Sequence, residues 1–84
     1  MKILPLIIEL MSDKGCGVLD SEDISASRSL YEIGFDSLRY MELVVLLEEK
    51  FSITMPDDAL EITDRTQVGD IARLVEECVH GGTA

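Results

Sequence analysis

Apolar residues recur at the spacing of a helix face in separate parts of this 84-residue chain, and no segment alternates as a strand would. The predicted main helices cover about residues 2–14, 36–50 and 67–79. A short fourth helix is expected over residues 57–62, because Pro56 ends helical structure before it. Each apolar stripe needs a partner to cover it. We therefore predict an all-α fold, a small bundle of three main helices plus one short helix.

The length leaves room for one domain, which we place at residues 1–80, with 81–84 as a frayed tail. A long polar loop, residues 15–36, separates the first two helices, and loops of this length in compact domains usually carry function. Apolar side chains in the loop are expected to anchor it to the bundle. They are Val18, Leu19, Ile24, Leu30, Tyr31, Ile33 and Phe35.

Charge narrows the range of partners. The chain has 17 acidic against 7 basic residues, a net charge of −10, which repels nucleic acid and favours proteins with basic patches. No stretch approaches the length of a membrane span, and Glu9 and Asp13 interrupt the apolar start, unlike in a signal peptide. We expect a cytoplasmic monomer that binds neither nucleic acid nor membrane.

The two cysteines match no metal-ligand spacing, so we predict no metal site. Cys16 and Cys78 are expected to be reduced thiols, although a disulfide between them stays open at this point.

The second helix has two apolar sides when its residues are placed at 100° intervals. One side is the predicted core face: Tyr40, Leu43, Val44 and Leu47. The other side holds Ser37, Met41 and Glu48, with Leu38 and Val45 beside them. This second side is either a wide core stripe or a contact surface for another protein.

Ser37 follows Asp36 at the junction between loop and helix. The carboxylate of Asp36 suits the N-cap position, where it accepts hydrogen bonds from free amides and complements the helix dipole. The single histidine, His80, stands at the far end of the last helix, so the sequence places no base next to Ser37. We therefore predict that the chain is not an enzyme.

The stretch Gly34-Phe35-Asp36-Ser37-Leu38 is followed by a helix ending Leu47-Glu48-Glu49-Lys50-Phe51, by Pro56, and by Val68-Gly69-Asp70-Ile71. This series resembles the acyl carrier protein family of fatty acid, polyketide and nonribosomal peptide synthesis. The resemblance is specific over about residues 30–72.

The resemblance implies that Ser37 receives a 4′-phosphopantetheine arm from coenzyme A through a phosphopantetheinyl transferase, with Asp36 and Leu38 flanking the site. The arm then carries acyl groups as thioesters. Further partners would be ketosynthase, acyltransferase or adenylation enzymes with basic docking patches. The residues implied to bind them are Met41, Glu42, Val45, Glu48, Asp57 and Asp58.

Three residues depart from the fatty-acid pattern: Phe35, Arg39 and Lys50. They favour polyketide or another specialised-metabolite pathway. The alternatives are a peptidyl carrier of nonribosomal synthesis and a carrier-fold interaction module without the arm, in which Ser37 is an ordinary first-turn serine. It also stays open whether the cargo enters the bundle, between the second and last helices, or remains exposed.

Overall fold

The computed structural model describes residues 3–80. Within this range lie three α-helices: α1 (Ile3–Met11), α2 (Ser37–Phe51) and α3 (Val68–His80). Two single 3₁₀ turns, Ser21–Asp23 and Asp57–Ala59, interrupt the connections. The described part of the chain contains no strand, only an isolated bridge between Ser29 and Gln67. The all-α prediction is confirmed. The predicted tail, residues 81–84, lies outside the described residues.

One apolar core joins the helices to the loops between them. The predicted core face of α2 is confirmed, because Tyr40, Leu43, Val44 and Leu47 are all buried. From α1 and α3 the core takes Ile3, Ile7, Met11, Val68, Ile71, Ala72 and Val75. The connecting segments contribute Ile24, Leu30, Ile33, Phe35, Met55 and Ile62. No helix within residues 3–80 is long and apolar enough to cross a membrane.

The first helix ends at Met11, three residues earlier than predicted. The next residue, Ser12, is fully buried, and its hydroxyl donates to the carbonyl of Glu9 at 2.7 Å. Serine bonds of this kind compete with the helical ladder. The chain then folds back so closely that a β-carbon at Gly17 would collide with the carbonyl oxygen of Met11.

The loop between α1 and α2 is held by backbone hydrogen bonds to the start of α3. The amide of Leu30 donates to the carbonyl of Thr66 at 2.9 Å, and the amide of Gly69 donates to the carbonyl of Ala26 at 2.8 Å. These bonds fix the part of the loop that leads into α2. The long loop therefore has a defined path.

The segment from 52 to 67, here called the crossover segment, joins α2 to α3. Its only helical turn among the described residues is Asp57–Ala59, so the prediction of a short helix through residue 62 is wrong at its end. Two tyrosines outside the segment donate hydrogen bonds to its backbone carbonyls. The hydroxyl of Tyr40 donates to the carbonyl of Ala59 at 2.6 Å, and the hydroxyl of Tyr31 donates to the carbonyl of Ile62 at 3.3 Å.

Candidate functional site

Ser37 is the first residue of α2, and its side chain is exposed. The preceding residue, Asp36, has an extended backbone, and its carboxylate accepts the amide of Arg39 at 2.8 Å. The backbone carbonyl of Asp36 accepts the amide of Tyr40 at 2.8 Å. The predicted N-cap is thus confirmed, and it holds Ser37 at the start of the helix.

The helix start suits a phosphate. Within residues 3–80, no acceptor contacts the amides of Ser37 and Leu38, and the first turn holds no acidic side chain. Free amides at the positive end of a helix dipole favour a negatively charged group. The amides of Ser37 and Leu38 are therefore free to donate to a negatively charged group at the helix start, whereas the amide of Arg39 is already bonded to Asp36.

A glycine shapes the approach to this helix. Gly34 has a φ of 99°, in the left-handed region that favours glycine. A β-carbon there would lie 2.9 Å from Cγ2 of Val18, so this loop residue rests against the turn before Ser37. Val18 was expected to anchor the loop inside the bundle, yet it is 57% exposed. Nothing in the sequence indicated that Gly34 and Val18 are neighbours, because their proximity depends on how the loop folds back.

Arg39, one of the departures noted above, is used by the fold. Its Nη1 donates to the backbone carbonyl of Cys16 at 2.6 Å, and the side chain is half-buried. This bond ties the turn after α1 to the first turn of α2. From the sequence, Arg39 was identified only as a departure from the fatty-acid pattern, without a contact for it.

Both cysteines are free thiols. The disulfide between Cys16 and Cys78, which the sequence left undecided, is therefore absent. Burial raises the pKa of the Cys16 thiol, and the nearby Glu42 carboxylate raises it further. A raised pKa keeps the thiol protonated, which makes Cys16 a poor nucleophile.

The second apolar side of α2 faces outward. Leu38 is 75% exposed, Met41 42% and Val45 52%. These three residues are called the α2 apolar patch below. The prediction of a wide core stripe is therefore wrong for these three residues. An exposed apolar patch of this kind on a small domain suits contact with another protein.

The predicted acidic residues divide into two groups. Glu42, Asp57 and Asp58 are exposed, the last two in the 3₁₀ turn after α2. Glu48 is half-buried, and its Oε2 accepts the amide of Met55 at 2.9 Å. Glu48 thus has a structural contact that the helical spacing did not reveal.

The hydroxyl of Ser37 is not activated by its surroundings. Across residues 3–80, no side chain forms a hydrogen bond with it, and His80 is the last residue of α3. A serine needs an adjacent base to act as a nucleophile in its own right. The Ser37 side chain is therefore exposed, with no neighbouring base to activate its hydroxyl.

Relatives of known name support the resemblance. The chain is similar to an acyl carrier protein of Wolinella succinogenes, with 44% identity over 50 residues, 60% of this chain and 63% of the relative. It is 39% identical over 72 residues to acyl carrier protein 5, chloroplastic, of Arabidopsis thaliana, covering 84% of this chain and 50% of that one. The chain thus spans about half to just under two thirds of these relatives.

A third relative is a much longer protein, the 3-methylorcinaldehyde synthase of Talaromyces stipitatus. The identity is 35% over 68 residues, which is 80% of this chain but 2% of that one. No solved structure matches the chain at a significant level.

The model of a family described as "Phosphopantetheine attachment site" matches residues 7–75, which include α2, most of α3 and both long connections. The predicted cofactor, 4′-phosphopantetheine, is the group that this description names. Membership also agrees with the prediction of a carrier rather than an enzyme. With a match over most of its length and acyl carrier proteins among its relatives, the chain belongs to the acyl carrier protein family.

Proposed function

We propose that this carrier holds acyl intermediates as thioesters on a 4′-phosphopantetheine arm attached to Ser37, in polyketide or other specialised-metabolite biosynthesis. The observation that carries the proposal is the exposed, unbonded hydroxyl of Ser37 at the first residue of α2, directly after the Asp36 cap. The arm, when bound, supplies a terminal thiol that forms the thioester. Ser37 is an attachment point in this proposal and has no catalytic role.

Loading is a phosphoryl transfer performed by the partner. The Oγ of Ser37 forms a bond to a phosphorus of coenzyme A, and the bond from that phosphorus to 3′,5′-adenosine bisphosphate breaks. The serine proton passes to a base of the transferase, since no side chain of residues 3–80 is bonded to the hydroxyl. The amides of Ser37 and Leu38 lie where they favour the resulting phosphodiester.

The α2 apolar patch and the acids around it form the proposed partner surface. Met41 and Val45 provide apolar contact beside Ser37, while Glu42, Asp57 and Asp58 provide negative charge. Such a surface suits a transferase, ketosynthase, acyltransferase or adenylation enzyme with a basic patch, and the net charge of −10 speeds the encounter. Glu48 is also part of this proposed surface, through the carboxylate oxygen that does not accept the amide of Met55.

A specialised pathway is supported by two observations. One relative bears the name 3-methylorcinaldehyde synthase. In addition, Arg39 and Lys50 depart from the pattern of the fatty-acid carriers, which usually have acids at these positions. A peptidyl carrier remains the alternative, and it predicts charging by an adenylation enzyme where the leading proposal predicts charging by an acyltransferase.

Intact-mass spectrometry tests the attachment. The chain is incubated with coenzyme A and a broad-specificity phosphopantetheinyl transferase, beside a carrier known to be loaded. We expect a gain of one phosphopantetheine on the wild type and on Ser27→Ala, a matched exposed serine. Ser37→Ala should stay unloaded. An unchanged wild-type mass, with the reference carrier loaded, would favour the interaction module without the arm.

Charge reversal tests the partner surface. Glu42→Lys should slow loading by the transferase several-fold at low salt, because rim charges act mainly on association rates. Glu76→Lys makes the same change at an exposed position of α3 and serves as the control. Equal loading rates for the two variants would remove Glu42 from the proposed surface.

A further inference from the structure

Tyr40 fills the interior directly behind the candidate attachment site. It stands three residues after Ser37, but it is only 1% exposed whereas Ser37 points outward. Its hydroxyl donates to the carbonyl of Ala59 in the crossover segment at 2.6 Å. Burial raises the pKa of Tyr40 to about 12, so the ring stays neutral in its site. The aromatic side chain therefore occupies the space between the start of α2 and the crossover segment.

A second tyrosine, Tyr31, is bonded to the crossover segment but is 45% exposed. The hydroxyl of Tyr31 donates to the carbonyl of Ile62 at 3.3 Å. Leu30 and Ile33, on either side of Tyr31 in the chain, are both fully buried. Tyr40 of α2 and Tyr31 of the preceding loop are thus bonded to two carbonyls of the crossover segment.

Three surface hollows of the described chain lie away from α2. One is lined by Leu4 of α1 and by Ala72 and Glu76 of α3, and another by Ile8 and Ser21. The remaining one lies between the crossover segment and α3, and is lined by Asp58, Ala59 and Leu74. None of these three is lined by a residue of α2. None of these three hollows therefore offers a chain tethered at Ser37 an opening along its own helix.

We infer that this carrier keeps its cargo outside the bundle, because Tyr40 occupies the space beside α2 that a chain tethered at Ser37 would enter. The inference rests on the proposed attachment at Ser37. Entry of a chain would require the ring to leave a close-packed core and the bond to Ala59 to break, and both changes are unfavourable. The cargo class that fits is short or oxygen-rich acyl groups, which lose little by staying in water, rather than long saturated chains.

Chain-length dependence of thermal stability tests the inference. The transferase loads the wild-type chain from acetyl-, butanoyl-, hexanoyl- and octanoyl-coenzyme A, and intact mass confirms each product before melting. We expect the same melting temperature for all four products. A chain that entered the core would instead raise it, since burying two methylenes raises the melting temperature of a domain of this size by about 10 °C. A steady rise with chain length in the wild type would overturn the inference.

Hydrophobic-interaction chromatography of the same four folded products gives an independent reading. If the cargo is exposed, the retention time should increase with each pair of methylenes. A retention time that does not change with chain length would contradict an exposed cargo. A wild-type chain that gains no mass contradicts the proposed attachment itself, and the mass alone reveals that failure.

Variants at Tyr40 test whether this residue is what keeps the cargo outside the bundle. Tyr40→Ala removes the ring, and its melting temperature should then rise from acetyl to octanoyl. Tyr40→Phe keeps the ring without the hydroxyl and should behave as the wild type. A folded Tyr40→Ala that remains insensitive to chain length would refute the role given to Tyr40. If Tyr40→Ala does not fold, Tyr40→Leu makes the same comparison with a smaller loss of volume.

Discussion

The carboxylate of Glu48 accepts a hydrogen bond of 2.9 Å from the backbone amide of Met55. Met55 is buried, and the bond spans the end of α2, where Ser52 takes a left-handed conformation with φ 55°. The backbone carbonyl of Glu48 accepts the amides of Ser52 and Ile53 as well. Glu48 thus organises the start of the crossover segment, in addition to the partner role proposed for it.

Removing this carboxylate should destabilise the protein. We expect Glu48→Ala to lower the free energy of unfolding by about 1–2 kcal/mol, because the buried amide of Met55 loses its acceptor. Glu49→Ala is the matched control, since Glu49 is exposed. Urea unfolding followed by circular dichroism measures both. Equal midpoints for the two variants would show that the bond contributes nothing.

Glu48→Gln separates the structural contact from the charge. The amide oxygen of glutamine can still accept from Met55, so most of the stability should remain. If the negative charge also attracts partner enzymes, this variant should be loaded more slowly than the wild type at low salt while melting close to it. A wild-type loading rate would leave Glu48 with its structural role alone.

The Asp36 cap leads to a third prediction. Asp36→Ala should cost about 1 kcal/mol in the free energy of unfolding, because the amide of Arg39 loses its partner, while Asp36→Asn should cost little. Thermal melts of the two variants measure the difference. Destabilisation of equal size in both would mean that the charge, rather than hydrogen bonding, is what stabilises the helix start.

Gly34 and Val18 form a pair suited to a double-mutant cycle. Gly34→Ala should destabilise the protein by about 1–2 kcal/mol, because the left-handed backbone is strained for alanine and the new methyl meets Val18. Val18→Ala removes the clash but not the strain. The double variant should therefore recover part of the loss, and full additivity in urea unfolding would exclude the contact.

Burial of Tyr40 predicts a loss of stability in strong alkali. The pKa of Tyr40 rises from 10.0 to about 12 on folding, so the unfolded chain releases this proton first as pH increases. The stabilisation is complete below pH 10 and is lost as pH rises through 12, by about 3 kcal/mol in all. Unfolding free energies measured over this range should fall more steeply for the wild type than for Tyr40→Phe. Parallel pH profiles would contradict the assignment.

Local signals predicted the parts of the fold that depend on near neighbours in sequence. Asp36 was identified as the cap and Tyr40 as a core residue, because a helix start and a helix face are properties of a few consecutive residues. The end of α1 was misplaced for a physical reason. Ser12 became buried and turned its hydroxyl onto Glu9, and burial of a serine is not visible in a local pattern.

By itself, the sequence determined the helical bundle, the acidic character and the position of Ser37 at the start of the second helix, since these follow from periodicity, composition and capping chemistry. Only the tertiary structure decided the contacts of Arg39 with Cys16, of Glu48 with Met55 and of Tyr40 with Ala59. Each of these joins a helix side chain to a backbone carbonyl or amide in a loop. Such partners are chosen by how the loops pack on the bundle, so spacing along α2 could not reveal them.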